Sequence, residues 1–163
     1  MLINRSDIAI YRQISQSVHN DVLNMHIRDA EFLDLQDLLG ATLYNDVIKT
    51  PENHAALING GTYEYNGVTY TNVGIKVPLV YFAYARYLRF GSQTDTPFGF
   101  VEKNAPESTH VDQTGKDIMY KYNQQIAYKY WQNVRAYLER TNYHLYETEC
   151  IVRGGNFRIS KIS

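Results

Sequence analysis

The chain of 163 residues is short of several things, and each shortage removes a class of function. It has one cysteine, Cys150. A single thiol forms no internal disulfide and no thiolate zinc cluster, which points to assembly in a reducing cytoplasm. An excess of one charge is missing as well: 16 Lys and Arg stand against 17 Asp and Glu, a formal net charge of -1. No overall field therefore draws the chain to nucleic acid or to an anionic membrane. No apolar run reaches the roughly 18 residues of a membrane span, and no charged-then-apolar leader opens the sequence.

Catalytic spacing is equally scarce. The five histidines, His19, His26, His54, His110 and His144, include no HxxH or HxxxH pair, so no zinc signature is present. His26 and Asp29 can share a helical face, a commonplace arrangement. No GxxxxGK[ST], GxGxxG or GxSxG occurs. Cys150 with His144 lacks any sign of an activated nucleophile. Asp34 with Asp37, or Glu147 with Glu149, could be drafted as acid and base, but on a carboxylate-rich chain solvated surface groups are the simpler reading. Basic residues sit among aromatics at 86–90, 121–129 and 153–161. The first two sets of aromatics are needed by helix stripes, so sequence-specific nucleic-acid binding is not expected. The reading is of a non-enzyme with no cofactor and no metal.

What is abundant is tyrosine: 15, against six phenylalanines and one tryptophan. Tyrosine joins an apolar body to a polar tip and suits wet core edges and interfaces alike. The hydrophobic fraction of 44% over 163 residues is enough for one domain with a real core. That core centres on residues 74–91, GIKVPLVYFAYARYLRFG. Val77, Tyr81, Tyr84 and Leu88 recur at helical spacing, and Leu79, Phe82, Ala83 and Ala85 widen the stripe until little of the helix is polar. Pro78 belongs in a first turn, so the helix should start near Lys76 or Val77 and stop at Gly91. Arg86 and Arg89 mark the one face expected to reach water or a partner.

Around this centre the pattern is mostly helical. Residues 1–20 are ambiguous, with a short helix or an extended lead-in near residues 7–11. From Asp21 a helix carries Val22, Met25, Ala30 and Leu33 on one side and ends by Gly40. A second runs from 41 to 49 with Leu43, Val47 and Ile48 inward, stopped by Thr50 and Pro51. Residues 53–59 offer a further turn or two. Residues 62–71 then read as a β-hairpin around the Asn66-Gly67 turn, studded with Tyr63, Tyr65 and Tyr70. A lone hairpin is marginal in water, so it should lean on helices or on another subunit. Residues 92–110 read as a long irregular loop with Phe98, Phe100 and Val101 at its middle, and such loops are usually functional or held by a partner. A long helix follows over 114–141, with Thr114 and Asp117 as a capping pair and Tyr120, Ala127, Trp131, Val134 and Leu138 as its buried stripe, packed antiparallel on 74–91. After Cys150 the charges are Arg153, Arg158 and Lys161 with no carboxylate, in a β-prone tail that suits docking onto a partner.

The expected fold is therefore mainly α: a helical bundle, residues 1–142, with a protruding β-hairpin at 62–71 and an extended or β-hairpin C-terminal arm, residues 143–163. The residues expected to touch a subunit or partner are Tyr63, Tyr65, Tyr70, Arg86, Arg89, Phe98, Phe100, Arg153, Phe157 and Arg158.

The order of these pieces resembles a known family. LDLQDLLGATLYNDV (33–47), INGGTYEYNGVTYTNVGIK (58–76), VYFAYARYLRFG (80–91) and TPFGFVEKN (96–104), followed by a tyrosine-rich helix, resemble the head–tail connector proteins of tailed bacteriophages. These are also called adaptor or head-completion proteins, and the likeness is to a type from phages and prophages of Bacteroidetes-like hosts. It spans residues 21–143 and rests on the order of the segments, since none is a catalytic fingerprint. The resemblance implies a non-enzymatic virion protein assembled in the host cytoplasm and placed in the neck below the portal vertex. It implies a homo-oligomeric ring, twelvefold as in relatives. Such a ring binds the portal protein above and a further neck or tail protein below, and genome DNA passes through it without sequence recognition or any membrane contact. The alternative is a monomeric ligand- or sugar-binding module using the tyrosine-rich hairpin and the 96–103 loop. A small hydrolase built on Cys150 or a carboxylate pair is a distant third.

Overall fold

A computed structural model describes residues 1–16, 18–91, 93–96, 99–102 and 112–147. Seven α-helices, numbered in chain order, and two separate antiparallel hairpins account for most of them. The ambiguous start resolves as a helix, α1 (Arg5–Tyr11). Asn4 caps it: its side chain accepts from the Ser6 and Asp7 amides, and Asp7 Oδ2 accepts from the Asn4 amide at 2.8 Å. This reciprocal pairing satisfies the donors of a first turn.

The next helix has a different inward face from the expected one. In α2 (Asn20–Ala30) the buried residues are Leu23, His26, Ile27 and Ala30, whereas Met25 is exposed. A π turn (Glu31–Leu35) follows, then α3 (Gln36–Leu39), and Leu33 also faces out. The buried series is Leu23, Ile27, Glu31, Leu35, Leu39, every fourth residue. Four residues of α-helix overshoot one turn, and four residues of the wider π turn fall short of one. The two drifts offset each other and keep that series against the core. Gly40, at φ 78°, then breaks the helix as expected. In α4 (Ala41–Lys49) Leu43 and Val47 are buried, but Ile48 faces out, because it follows Val47 by only about 100° of helical turn. A 3-10 turn (Pro51–His54) and α5 (Ala55–Asn59) lead to the first hairpin.

That hairpin is β1 (Gly61–Tyr65) paired with β2 (Val68–Asn72), with Tyr63 opposite Tyr70 and a turn at Asn66 and Gly67, both at positive φ. The turn chemistry legible in the sequence is the turn formed. α6 (Lys76–Phe90) starts where Pro78 requires and ends at Gly91. Every residue from Val77 to Ala83 is buried, as is Ala85. α7 (Gln113–Arg140) lies along it with Ala127, Trp131, Val134 and Leu138 buried, and Tyr120 half-buried. Contacts run from Val73 with Asn133, through Tyr81 with Tyr130 and Phe82 with Tyr128, to Arg89 with Asp117. Rising numbers on one side meet falling numbers on the other, so the two helices are antiparallel. The cap of α7 is Asp112, whose side chain accepts from the Gly115 amide at 2.9 Å, in place of the expected Thr114 and Asp117.

The stretch read as an irregular loop holds a second hairpin, β3 (Gln93–Thr96) with β4 (Gly99–Glu102), in register Gln93 to Glu102 and Thr96 to Gly99. The fold is thus mainly α with hairpins. The proposed arm begins inside it: Tyr143, Leu145 and Tyr146 pack against the core. The remainder of that arm, 148–163, lies outside the described residues.

Candidate interaction surface

The first hairpin is held to the body by its base and by one face. At the base the chain crosses itself. Gly60 and Gly74 both have positive φ, and a Cβ on either would sit 2.5 Å from backbone of the other crossing strand. Buried Asn72 ties the crossing: its Nδ2 donates to the Ala56 carbonyl at 2.9 Å, and its Oδ1 accepts from the Gly74 amide at 3.0 Å. From α7, Asn133 accepts from the Val73 amide and donates to the Thr71 carbonyl, both at 2.9 Å. One amide side chain thus replaces a missing strand partner at the edge of β2.

Along one face the tyrosines work as a unit. Tyr63 stacks on Tyr70 at 5.7 Å and meets the edge of Tyr137 on α7 at 5.0 Å. The Arg140 guanidinium lies 4.1 Å from the Tyr70 ring centre and 5.6 Å from that of Tyr65, and donates to the Tyr63 hydroxyl at 3.1 Å. Aromatic pairs such as Tyr63 with Tyr137 are worth about 0.5–1.5 kcal/mol each. The structure therefore brings Tyr63, Tyr65 and Tyr70 together and leans them on the chain's own α7. Behind them Tyr143 donates to or accepts from His54 Nδ1 at 2.9 Å, and His54 Nε2 meets Asp46 Oδ2 at 2.9 Å. Burial pushes the Tyr137 and Tyr143 phenols above their usual pKa, so both stay neutral hydroxyls.

Arg86 and Arg89 do not form the open face expected of them. Arg86 grips Asp34 through two hydrogen bonds of 2.8 and 3.1 Å, and both side chains are nearly buried. Burial is the largest single influence and works against the Arg86 charge, but the hydrogen bonds and charge of Asp34, joined by Tyr120 and Asp29, together outweigh it and raise its pKa. Asp34, read as a solvated carboxylate, is a structural ion-pair partner. The guanidinium of Arg89 approaches Asp117 to 2.9 Å, too bent for a hydrogen bond, and lies over the Phe90 and Tyr120 rings. The π turn that sets Asp34 opposite Arg86 left no mark in the hydrophobic periodicity. Of the other expected contact residues, Phe98, Arg153, Phe157 and Arg158 lie outside the described residues. Phe100 is placed in β4, opposite Asp95.

The two hairpins are attached to opposite ends of α6: β2 ends four residues before it, and β3 begins three residues after it. Fifteen helical residues put those attachment points about 22 Å apart. A cleft of about 170 Å³ lies between α3 and α7, lined in part by Asp37, Trp131 and Glu147. It is smaller than the roughly 300–1,000 Å³ of small-molecule sites. Among the described residues no group of three or more His, Cys, Asp or Glu could hold a metal, and no helix is long and apolar enough to cross a membrane.

No curated protein and no solved structure matches this chain. A family does, over residues 35–155, from the end of the π turn through both hairpins and α7. The chain belongs to that family, the family of unknown function DUF6712.

Proposed function

We propose that the protein is a virion structural subunit, forming a ring that joins the capsid portal to the tail and continues the DNA channel. The observation that carries this reading is the placement of the two hairpins at opposite ends of the α6 and α7 pair. Two-stranded hairpins are marginal by themselves in water. Carried at the two ends of a stiff helical post, they suit a subunit that meets one partner above and another below. The order of segments resembling the connectors of tailed phages agrees with that use. In this reading the DNA passes without base recognition, in keeping with a net charge of -1.

A ligand- or sugar-binding module would need the tyrosine hairpin and the 96–103 segment to line one cleft. Their attachment to opposite ends of α6 works against that use. The first hairpin also spends Tyr63 and Tyr70 on α7.

Recombinant protein mixed with the portal protein of the same virus tests the connector reading by negative-stain microscopy. A second ring stacked on the portal is the expected result. A chain that never joins the portal, and is missing from purified virion necks, would overturn it.

A further inference from the structure

The two flanks of the molecule carry different faces. α6 lies between α2 and α7: Tyr87 meets His26 of α2 at 6.2 Å, and Phe82 meets Tyr128 of α7 at 5.2 Å. Five residues of helix turn those contacts about 140° apart around the α6 axis. The outer sides of α2 and α7 therefore point in different directions, with α3 beside α7 along one edge. On the α2 flank Met25, Phe32 and Leu33 are 55%, 62% and 51% exposed, and Met25 stands opposite the buried Leu23 and Ile27. On the α7 flank Ile118 and Tyr122, one turn apart, are 64% and 60% exposed, opposite the buried Ala127 and Val134. An exposed apolar residue alone is ordinary. Large ones recurring on the outer face of a helix mark a contact site.

The charges on the two flanks are complementary. No carboxylate occurs on α7 between Asp117 and Glu139; Lys129 shares the face of Ile118 and Tyr122, and Lys121 stands at its edge. The outer face of α2 carries Asp21 and Asp29 against Arg28 alone. A basic apolar face and an acidic apolar face thus stand apart on one nearly neutral chain.

We propose that the α7 face of one copy docks on the face formed by α2 and the π turn of the next, head to tail. Phe32, Met25, Ile118 and Tyr122 are the apolar anchors, and Lys121 and Lys129 meet Asp21 and Asp29 at the rim. Aromatic residues and methionine at the centre with charges outside is the usual layout of a protein interface. A contact between two unlike faces propagates and closes into a ring when the turn per subunit allows. The inference rests on the ring reading and names its lateral contact.

Two variants of the full chain test it, Phe32→Asp and Tyr122→Asp, each spoiling one face at an exposed position. Far-UV circular dichroism and melting midpoints at the wild-type values show that both fold. Sedimentation velocity should find the wild type as an oligomer and each variant alone as a monomer. An equimolar mixture should run at twice the monomer mass and no larger, because one good face of each kind remains. A monomeric wild type, a variant that assembles like wild type, or a mixture that stays monomeric overturns the proposal. So does a monomer in which residues 148–163 cross-link to the Phe32 face, since the chain's own tail would then be its occupant. An oligomer that survives both substitutions and still binds portal removes this interface and leaves the connector reading standing. Assembly through these faces without portal binding does the reverse.

Discussion

Gly60 and Gly74 sit where two backbone strands cross at the neck of the first hairpin, and neither has room for a side chain. At Gly74 a methyl group meets backbone at 2.5 Å and must also adopt φ 78°. Strained left-handed backbone alone costs about 1–3 kcal/mol. Gly74→Ala is therefore expected to lower unfolding stability by about 2–4 kcal/mol, read as a lower urea midpoint. Gly67→Ala in the turn has open space around it and should cost less. His26 gives a second test at this scale. It is buried against Tyr87, and burial is the largest cause that lowers its pKa, ahead of the opposing pull of Asp29. The folded chain then binds this proton less readily than the unfolded chain, whose histidine titrates near 6.5. Its contribution is fully present above about pH 6.5 and is lost as pH falls from there toward the lowered folded value. Urea midpoints between pH 7.5 and 5.5 should fall more steeply for wild type than for His26→Phe. Equal slopes would assign the pH dependence to other groups.

Among the elements, α6 was the easiest to find and α2 with its π turn the hardest to orient. α6 is apolar nearly all round, so little choice of face was needed. The Asn-Gly turn and Pro78 act over a few bonds, and both elements formed where those residues put them. The inward face of α2 depends on a turn that carries an extra residue, and the i, i+3, i+4 spacing that marks an α-helix has no term for it. The second hairpin escaped notice because its strands are four residues each and polar in part. At this scale the clamp from α7 onto the first hairpin is the contact to break. Asn133→Ala removes both hydrogen bonds to Thr71 and Val73 and leaves two backbone groups to find water. Amide exchange in residues 61–73 should quicken markedly, with a loss of about 1–3 kcal/mol in global stability. Unchanged exchange there would mean that the tyrosine face alone holds the hairpin.

For the whole molecule, the body does not stop at residue 142. Tyr143 reaches His54, 89 residues earlier, and Leu145 and Tyr146 cover core side chains. A chain truncated after Glu147 should keep the wild-type helical signal and melting midpoint. Truncation after Asn142 should lower that midpoint, because it uncovers Tyr137 and takes the partner from His54 Nδ1. If the chain ending at 147 also fails to bind portal, residues 148–163 form a docking arm, as their basic and β-prone composition suggests. Equal melting of the two truncations would return the boundary to 142.

Short-range chemistry was legible without coordinates. Helix periodicity, a proline in a first turn and an asparagine–glycine pair act within a turn or two of chain, so the mainly α class, the first hairpin and the antiparallel partner of α6 followed from them. The residues that decide contacts depend on what lies across space. Arg86 was expected outside until Asp34, 52 residues away, turned out to hold it. Met25 was expected inside until the buried face of α2 proved to be that of Leu23 and Ile27. The tyrosines of the first hairpin were assigned to a partner, and Tyr137 and Arg140 claim them first. Packing chooses among faces that a linear pattern leaves equal, and here it moved the exposed apolar residues to the two outer flanks.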